Sequence, residues 1–275
     1  MTQRITLTHD RREVERALQI DPPATLAEII GFVRDLYATS RAKGIVVGLS
    51  GGIDSAVTAS VCVKAIGAEK VTGLLLFEEK ATDSPDSKDA EALARMLKIE
   101  TLNFPIDEVF DSFLANFPAG TKDRVTVGNL KARMRMVSLY FMANSRNLLV
   151  AGTGDRSEDL IGYFTKYGDG GVDFLPIAHL YKTQVKNLGS YLGLPNQILG
   201  KPSSPNLWEG HKATDEIPLD YNLLDLALVS LFDLKMQPKE AAVGLGISVE
   251  KLEEILRLYG ASEHKRAYPP MVRSW

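Results

Sequence analysis

A short loop rich in glycine and serine, at residues 50–55 (Ser-Gly-Gly-Ile-Asp-Ser), is the feature that most constrains this chain. It follows an apolar run at residues 45–49 that is typical of a buried strand, and it precedes a helical pattern from about Ile53 to Ile66. At such a junction several backbone N–H groups surround one point, and the helix N-terminus adds a partial positive charge. Gly51 and Gly52 lack a Cβ atom, so an oxygen can approach their backbone closely. The loop therefore predicts a phosphate site.

The residues of this loop exclude two common phosphate-binding motifs. It lacks the Gly-Lys-Ser/Thr ending of a Walker A loop, and its glycines lack the G-x-G-x-x-G spacing of a dinucleotide site. Asp54 lies in the first helical turn, where a carboxylate suits the helix dipole but repels a phosphate. A bridging Mg²⁺ would reconcile the two, because hard cations bind carboxylate and phosphate oxygens together. The alternative is an ordinary strand–turn–helix junction in which Asp54 only caps the helix.

The apolar pattern alternates between strands and helices, which predicts an α/β fold with a doubly wound, mostly parallel sheet. The predicted strands are residues 45–49, 71–76, 99–104 and 148–152, and the predicted helices are residues 25–41, 53–66, 86–97, 129–144, 182–192, 221–233 and 249–259. Residues 77–88 and 200–217 are predicted as loops. We expect a single domain over residues 1–275, with an N-terminal helix at about 25–41, a sheet core at about 45–152 and a mostly helical C-terminal part at about 180–275.

Composition excludes several other classes of protein. The net charge of -3 gives no reason to expect binding to nucleic acid or to an anionic membrane. Cys62 is the only cysteine, so a disulfide framework and a cysteine-rich zinc site are excluded. No apolar run approaches the roughly 18 residues that would span a bilayer, and residues 1–16 do not resemble a signal peptide. We expect a protein of the reducing cytoplasm.

The glycine loop resembles that of the N-type ATP pyrophosphatases, which cut ATP between its α and β phosphates and transfer AMP to a substrate oxygen. Four further segments select a family within that group, and they closely resemble the ammonia-dependent NAD synthetases. They are residues 129–136 (Asn-Leu-Lys-Ala-Arg-Met-Arg-Met), 152–158 (Gly-Thr-Gly-Asp-Arg-Ser-Glu), 162–173 (Gly-Tyr-Phe-Thr-Lys-Tyr-Gly-Asp-Gly-Gly-Val-Asp) and 262–266 (Ser-Glu-His-Lys-Arg). The resemblance runs in one order from about Ile45 to Arg266. It implies a sheet of the adenine nucleotide alpha hydrolase-like type.

The resemblance also implies the activity and its site residues. The reaction would be ATP-dependent amidation of deamido-NAD by free ammonia, with Mg²⁺ as cofactor and a homodimer as the active form. Positions implied to bind ATP are Gly48, Leu49, Ser50, Gly51, Gly52, Ile53, Asp54, Ser55, Thr153, Lys182 and Ser204; those for deamido-NAD are Arg133, Lys166, Asp173, His264 and Lys265. Asp54 and Glu158 would bind the metal, and the catalytic groups would be Asp54, Glu158, Asp169 and Lys182.

Several of these residues have a simpler interpretation. Arg133 and Arg135 lie two positions apart on one predicted helix and face different sides, so one of them would be plain surface charge, and we favour Arg133 as functional. Glu158 is also typical of a helix start, and residues 264–266 of a solvated basic tail. His9, His179 and His211 show no metal-ligand spacing. The rival functions are another ATP pyrophosphatase and a nucleotide-binding regulatory module.

Overall fold

A parallel β-sheet organises the computed structural model, which describes residues 10–78, 83–118, 120, 121, 123–204, 207, 208 and 210–272. Within these residues the strands are β1 (Gly44–Gly48), β2 (Val71–Leu75), β3 (Glu100–Asn103) and β4 (Leu148–Ala151). They lie in the order β3-β2-β1-β4, and each neighbouring pair is parallel. The strand order therefore reverses between β1 and β4, and ligands of open α/β sheets bind beyond the carboxyl ends of the strands at such a point.

Helices surround this sheet. They are α1 (Arg11–Ala17), α2 (Pro22–Ser40), α3 (Ile53–Ile66), α4 (Pro85–Leu97), α5 (Asp107–Asn116), α6 (Arg124–Arg146), α7 (Arg156–Ile161), α8 (Lys182–Tyr191), α9 (Asn196–Leu199), α10 (Tyr221–Leu228), α11 (Pro238–Leu245), α12 (Val249–Ala261) and α13 (Glu263–Arg266). Side chains at several starts accept backbone N–H groups, among them Asp21 before α2 and Ser84 before α4, each followed directly by a proline. None of the described helices is long and apolar enough to cross a membrane.

Both faces of the sheet are covered, as a doubly wound fold requires. Ile45 and Val47 of β1 pack in a cluster with α2, α3, α4 and α8. Val46, between them, faces the other way and packs with Val150 and with Ala143 of α6. All three β1 side chains are completely buried. This explains why the strand is apolar at every position, since a parallel strand with two covered faces has no polar side. The predicted fold class is confirmed.

A second apolar cluster lies in the C-terminal part. Residues of α10, α11 and α12 pack there with Ile161 of α7 and with Tyr181, just before α8. The helical C-terminal part is therefore present, and its cluster reaches the end of α7 and the start of α8, two helices that carry predicted site residues. Val14 of α1 joins the same cluster.

The boundaries of several elements differ from the prediction. Helix α6 begins at Arg124 instead of Asn129, because the Asp123 carboxylate accepts the N–H of Thr126 and starts the helix earlier. The predicted helix 221–233 is α-helical only to Leu228, and a π-helical segment, Val229–Asp233, follows. Helix α4 begins inside the predicted loop 77–88, of which residues 79–82 lie outside the described part. The short helices α1, α5, α7 and α11 were not predicted, since two turns carry too little periodicity.

Candidate active site

A cavity of about 480 Å³ lies at the carboxyl ends of β1, β2 and β4. Its wall contains Gly48 and Ser50 from the end of β1, Leu76 after β2, and Thr153 after β4. The long helix α6 and the segment around Phe164 close it from the sides. The cavity thus lies at the reversal of strand order, where the topology favours ligand binding.

Part of the glycine loop lines this cavity, since Ser50, Asp54 and Ser55 belong to the wall, whereas the predicted residues Gly51, Gly52 and Ile53 lie outside it. Gly51 has a φ of 74°, and a Cβ atom there would lie 2.1 Å from the carbonyl oxygen of Asp86. Only glycine fits this close approach between the loop and the start of α4. The hydroxyl of Ser55 accepts the Ser50 N–H at 3.2 Å and lies 3.1 Å from the Gly52 carbonyl oxygen. These bonds hold the loop against the first turn of α3, whose free backbone N–H groups point toward the cavity.

Lys201 fastens the loop from the other side. Its Nζ donates to the Gly51 carbonyl oxygen at 2.9 Å, and to carboxylate oxygens of Asp86 and Asp89 at 2.6 Å each. Burial opposes the charge on Lys201, but the two carboxylates outweigh it and raise its pKa. One ammonium group therefore links the glycine loop, the start of α4 and the segment after α9.

Four charged side chains meet beside the loop. Lys182 Nζ lies 2.7 Å from Asp54 Oδ2, 2.9 Å from Asp155 Oδ2 and 2.9 Å from Glu158 Oε1. Lys182 and Asp155 are completely buried, whereas Asp54 and Glu158 retain about a fifth of their side-chain exposure, at 22% and 20%. The two exposed carboxylates are those that line the cavity. The carboxylates of Asp54 and Glu158 are thus accessible to a ligand in the cavity, whereas the positively charged Lys182 is buried behind them.

This arrangement arises because the four charged residues lie at the starts of three helices. Asp155 caps α7, accepting the Glu158 N–H at 2.9 Å, and the Glu158 carboxylate reaches back to the Asp155 N–H. Lys182 is the first residue of α8. Asp54 is in the first turn of α3. Three helix starts therefore converge, and the positive end of each helix dipole favours the carboxylates nearby.

Burial also shifts the pKa values within the cluster. Loss of hydration raises the pKa of Asp155 to about 6, and burial together with the neighbouring Asp155 raises that of Glu158 well above its ordinary value. Burial opposes the charge on Lys182, but the surrounding carboxylates outweigh it and hold its pKa well above the ordinary value. The lysine is therefore a fixed positive charge, and a further cation would stabilise the ionised carboxylates.

Comparison with known proteins assigns this arrangement to a family. The model of the NAD synthase family matches residues 25–269. The chain belongs to the NAD synthase family. It is 46% identical over 260 residues to the NH(3)-dependent NAD(+) synthetase of Hyperthermus butylicus, covering 94% of each protein.

Solved structures of the NAD synthase group agree with this membership. The NMN synthetase of Francisella tularensis has a TM-score of 0.82 and 36% identity, covering 93% of this chain and 100% of that one. The NH3-dependent NAD synthetase of Campylobacter jejuni has a TM-score of 0.78 and 27% identity over the same shares. The similarity to the family therefore covers the sheet, the residues around the cavity and the C-terminal helices.

The acidic pair of this NAD synthase site suits a hard cation. Asp54 Oδ1 is buried and has no hydrogen-bond partner among the described residues, so it is an acceptor that a bound cation would satisfy. No set of three or more His, Cys, Asp or Glu side chains in the described part of the chain converges to hold a metal. The protein would then supply only Asp54 and Glu158. Phosphate oxygens and water would supply the other ligands, as Mg²⁺ usually requires.

Most predicted site residues lie around the one cavity. Its wall includes Gly48, Leu49, Ser50, Asp54, Ser55, Thr153, Glu158, Asp169, Ser204 and Lys265. Lys182 lies directly behind Asp54 and Glu158. Asp169 accepts the Thr165 N–H at 2.9 Å, and the protein around the cavity removes part of its hydration and raises its pKa. Lys265 reaches the backbone oxygens of Gly162 and Phe164, both at 2.7 Å.

Four predicted substrate residues lie outside the cavity wall. Arg133 is exposed on α6 and donates to the backbone oxygen of Lys166, whose Nζ in turn donates to the backbone oxygen of His264. These three basic residues form a small cluster at the surface. Asp173 accepts the Tyr140 hydroxyl at 3.0 Å and the Val150 N–H at 2.7 Å, so both its oxygens are bonded within the chain. Their role in binding deamido-NAD stays a prediction.

The structure adds cavity residues that the sequence did not indicate. Arg135 lines the cavity and donates to the Leu76 carbonyl oxygen at 3.3 Å, so the expectation that Arg133 is the functional one of the two arginines does not extend to the cavity wall. His211, which has no metal-ligand spacing in the sequence, is buried in the wall, stacks on Trp208 at 3.5 Å and lies 2.7 Å from Glu216. A sequence signal for His211 was its place in the predicted loop 200–217, of which residues 205, 206 and 209 lie outside the described part.

Proposed function

We propose that this chain catalyses ATP-dependent amidation of deamido-NAD to NAD with free ammonia, through an adenylated intermediate, and releases AMP and pyrophosphate. The observation that carries the proposal is the contact of Lys182 with both Asp54 of the glycine loop and Glu158, beside a cavity that also contains Asp169. The relatives named as NH(3)-dependent NAD(+) synthetases support the choice of substrate and nitrogen source.

In the first step the nicotinate carboxylate oxygen attacks the α-phosphorus of ATP. The bond from that phosphorus to the α–β bridging oxygen breaks, and pyrophosphate leaves. The backbone donors of the glycine loop, with the hydroxyls of Ser50 and Ser55, would hold the phosphates. Thr153 and Ser204 would complete the nucleotide site. Lys182 would stabilise the negative charge that gathers on the leaving pyrophosphate.

A bound Mg²⁺ on Asp54 and Glu158 would neutralise phosphate charge and orient the triphosphate. The protein's own part is to hold these two carboxylates next to each other at the cavity. Lys182 does this from behind, since its ammonium contacts both carboxylates while being fully buried. Asp155 balances that lysine on the side away from the cavity.

In the second step ammonia attacks the carbonyl carbon of the adenylate. The carbon–oxygen bond to AMP breaks, the amide remains, and the nitrogen loses a proton. The attacking species must be NH₃, so a base near the carbonyl is needed when ammonium enters. Asp169 is the candidate: it lines the cavity, and its raised pKa suits proton transfer better than that of an ordinary aspartate.

We also propose a cytoplasmic homodimer with one domain per chain, in which deamido-NAD binds partly at the subunit interface. In support, Val137 and Phe141 of α6 are 60% and 76% exposed, although both are large apolar residues. Arg133, on the same helix, forms the surface cluster with Lys166 and His264. A partner subunit at α6 would bring this cluster next to the bound dinucleotide.

The decisive experiment supplies purified protein with ATP and Mg²⁺ and varies the other two substrates. Deamido-NAD is compared with nicotinate mononucleotide, since one structural relative is an NMN synthetase. Ammonium is compared with glutamine as nitrogen donor. We expect NAD, AMP and pyrophosphate in equal amounts from deamido-NAD and ammonium, with much less product from the other combinations.

One variant and three possible outcomes define how the proposal fails. Asp54→Ala should abolish formation of AMP while the thermal unfolding temperature stays near that of the wild type, since Asp54 is partly exposed. Absence of AMP and NAD from the wild-type ammonium reaction would disprove the activity. Preference for nicotinate mononucleotide would change the substrate, and activity with glutamine alone would change the nitrogen source.

A further inference from the structure

We propose that Asp225 of α10 is a positioning residue that holds Lys182 and Glu158 in register through Ser157 and Thr183. The inference rests on the proposed function, because it assigns Lys182 and Glu158 to the reacting end of ATP. Asp225 itself does not line the cavity. It therefore acts only through the residues that it contacts.

The contacts of Asp225 join the starts of two helices. Its Oδ1 accepts the Ser157 hydroxyl at 2.6 Å, and Ser157 lies in the first turn of α7. Its Oδ2 accepts both the backbone N–H and the hydroxyl of Thr183 at 2.7 Å, and Thr183 lies in the first turn of α8. Glu158 directly follows Ser157, and Lys182 directly precedes Thr183.

Ser157 completes the link between the two helices. Its hydroxyl oxygen, which donates to Asp225, also accepts the backbone N–H of Lys182 at 2.9 Å. One hydrogen bond, from the Lys182 N–H to the Ser157 hydroxyl, thus joins the start of α8 to α7. Two more, from Thr183 to Asp225, join it to α10. A shift of either helix start would break at least one of these bonds.

The cost of burying Asp225 indicates that these bonds matter. The residue is completely buried, and an ionised carboxylate without hydrogen bonds would be strongly destabilising there. Three donors converge on its two oxygens, and two helix starts add partial positive charge. An asparagine has almost the same volume but only one acceptor oxygen, so it cannot accept from both the Ser157 hydroxyl and the Thr183 donors. Both carboxylate oxygens are therefore needed to hold both helices.

Asp225→Asn tests the proposal in the complete enzyme. We expect kcat for NAD formation to fall by about 10- to 100-fold, because small misplacements of catalytic groups have effects of this size. The KM for deamido-NAD should stay within about twofold, since its predicted binding residues lie elsewhere. Ser157→Ala and Thr183→Val, which each remove one hydroxyl, should also lower kcat. The double variant of Asp225 and Ser157 should lose less than the product of the two single losses.

Asp220→Asn is the matched control. Asp220 caps the same helix, α10, but its bonds go to the N–H groups of Asn222 and Leu223, and asparagine also serves as a cap. The kcat of Asp220→Asn should equal that of the wild type. The proposal is wrong if Asp225→Asn keeps kcat within twofold. If that variant fails to fold, an unchanged kcat in both hydroxyl variants contradicts the proposal equally.

A measurement without turnover separates this inference from the proposed function. Hydrogen exchange of the amides of Lys182 and Thr183 should be about tenfold faster or more in Asp225→Asn than in Asp220→Asn, whether or not NAD is formed. An inactive wild type would disprove the proposed function alone. Unchanged exchange at both amides would disprove the positioning role.

Discussion

Lys182 determines the charge balance of the site, because three carboxylates converge on its single ammonium group. Without it, the carboxylates of Asp54, Asp155 and Glu158 would repel one another in a region where little water can screen them. Two of the three also face the cavity. The lysine therefore offsets part of the repulsion between these two carboxylates, and its positive charge lies directly beside them.

Replacing this lysine tests its role most directly. Lys182→Met keeps a long side chain without the charge, and we expect kcat to fall by at least about 100-fold, as when a charge-stabilising group is removed. The matched control is Lys186→Met, one turn later on α8, with kcat near the wild-type value. Steady-state release of pyrophosphate measures both. A loss of less than tenfold for Lys182→Met would contradict a role in the transition state.

The raised pKa of Asp169 predicts a pH dependence. Loss of hydration favours its neutral form, so the proton is released at a higher pH than from an ordinary aspartate. If the carboxylate is the base, kcat should rise as the pH passes upward through this pKa, and Asp169→Asn should lose that rise. The variant should also be slower by about 100-fold or more. Rates are compared at equal NH₃ concentrations, and full activity of the variant at every pH would exclude Asp169 as the proton acceptor.

At the scale of elements, the site depends on how closely α4 approaches the glycine loop. Gly51 meets the Asp86 carbonyl oxygen, and Lys201 binds both the loop and two carboxylates of α4. The loop is therefore held on both sides. The geometry of the loop therefore depends on the loop itself, on α4 and on the segment that carries Lys201. The contact with Lys201 and the contact with α4 can be tested separately.

Lys201→Met should loosen the loop without removing a ligand of ATP. We expect KM for ATP to rise by about three- to tenfold, because the loop would need to order on binding. Lys88→Met is the control, since Lys88 lies on α4, the helix that Lys201 contacts, with its side chain 67% exposed. Initial rates over a range of ATP concentrations separate the two. An unchanged KM for ATP in Lys201→Met would show that the loop is held without the lysine.

Gly51→Ala adds a methyl group where none fits. Both Gly51 and Gly246 have positive φ, at 74° and 70°, but a Cβ at Gly246 meets nothing within 4 Å. Gly246→Ala should therefore cost only the backbone strain, roughly 1–2 kcal/mol of unfolding free energy. Gly51→Ala should cost more and should also weaken ATP binding, because the clash displaces the loop or α4. Equal losses of stability in urea for the two variants would contradict the close approach.

At the scale of the whole molecule, α6 connects the cavity with the exposed surface. One side of the helix packs on the sheet through Ala143 and carries Arg135 in the cavity wall. The other side exposes Val137 and Phe141. An apolar surface on a helix that borders the site supports the proposed interface between subunits.

Phe141→Asp tests that interface. Burying a carboxylate between apolar surfaces is unfavourable, so we expect the variant to be monomeric and to have a higher KM for deamido-NAD. Val243→Asp on α11 is the control, since Val243 is 56% exposed on another helix. Light scattering after size exclusion gives the molecular mass of each. A wild type that is monomeric at working concentration, or a dimeric Phe141→Asp, would contradict the proposal.

The order of strands and helices could be predicted because each segment carries its own pattern. The helix Ile53–Ile66 has the predicted boundaries, since glycine precedes and follows it. Short helices such as α7 could not be predicted from periodicity. That limit affected the site, because the residue that caps α7 is Asp155, whose importance appears only when its carboxylate meets Lys182.

The sequence by itself determined the glycine loop at a strand–helix junction, the fold class and, through motif resemblance, the family, because these depend on residues close together along the chain. Only the tertiary structure decided which side chains meet beside this loop and around the cavity. It placed Lys182 between Asp54 and Glu158, Arg135 inside and Arg133 outside the cavity, and Asp225 behind two helix starts. The physical reason is that contacts between distant segments depend on how helices pack on the sheet, and local spacing does not contain that information.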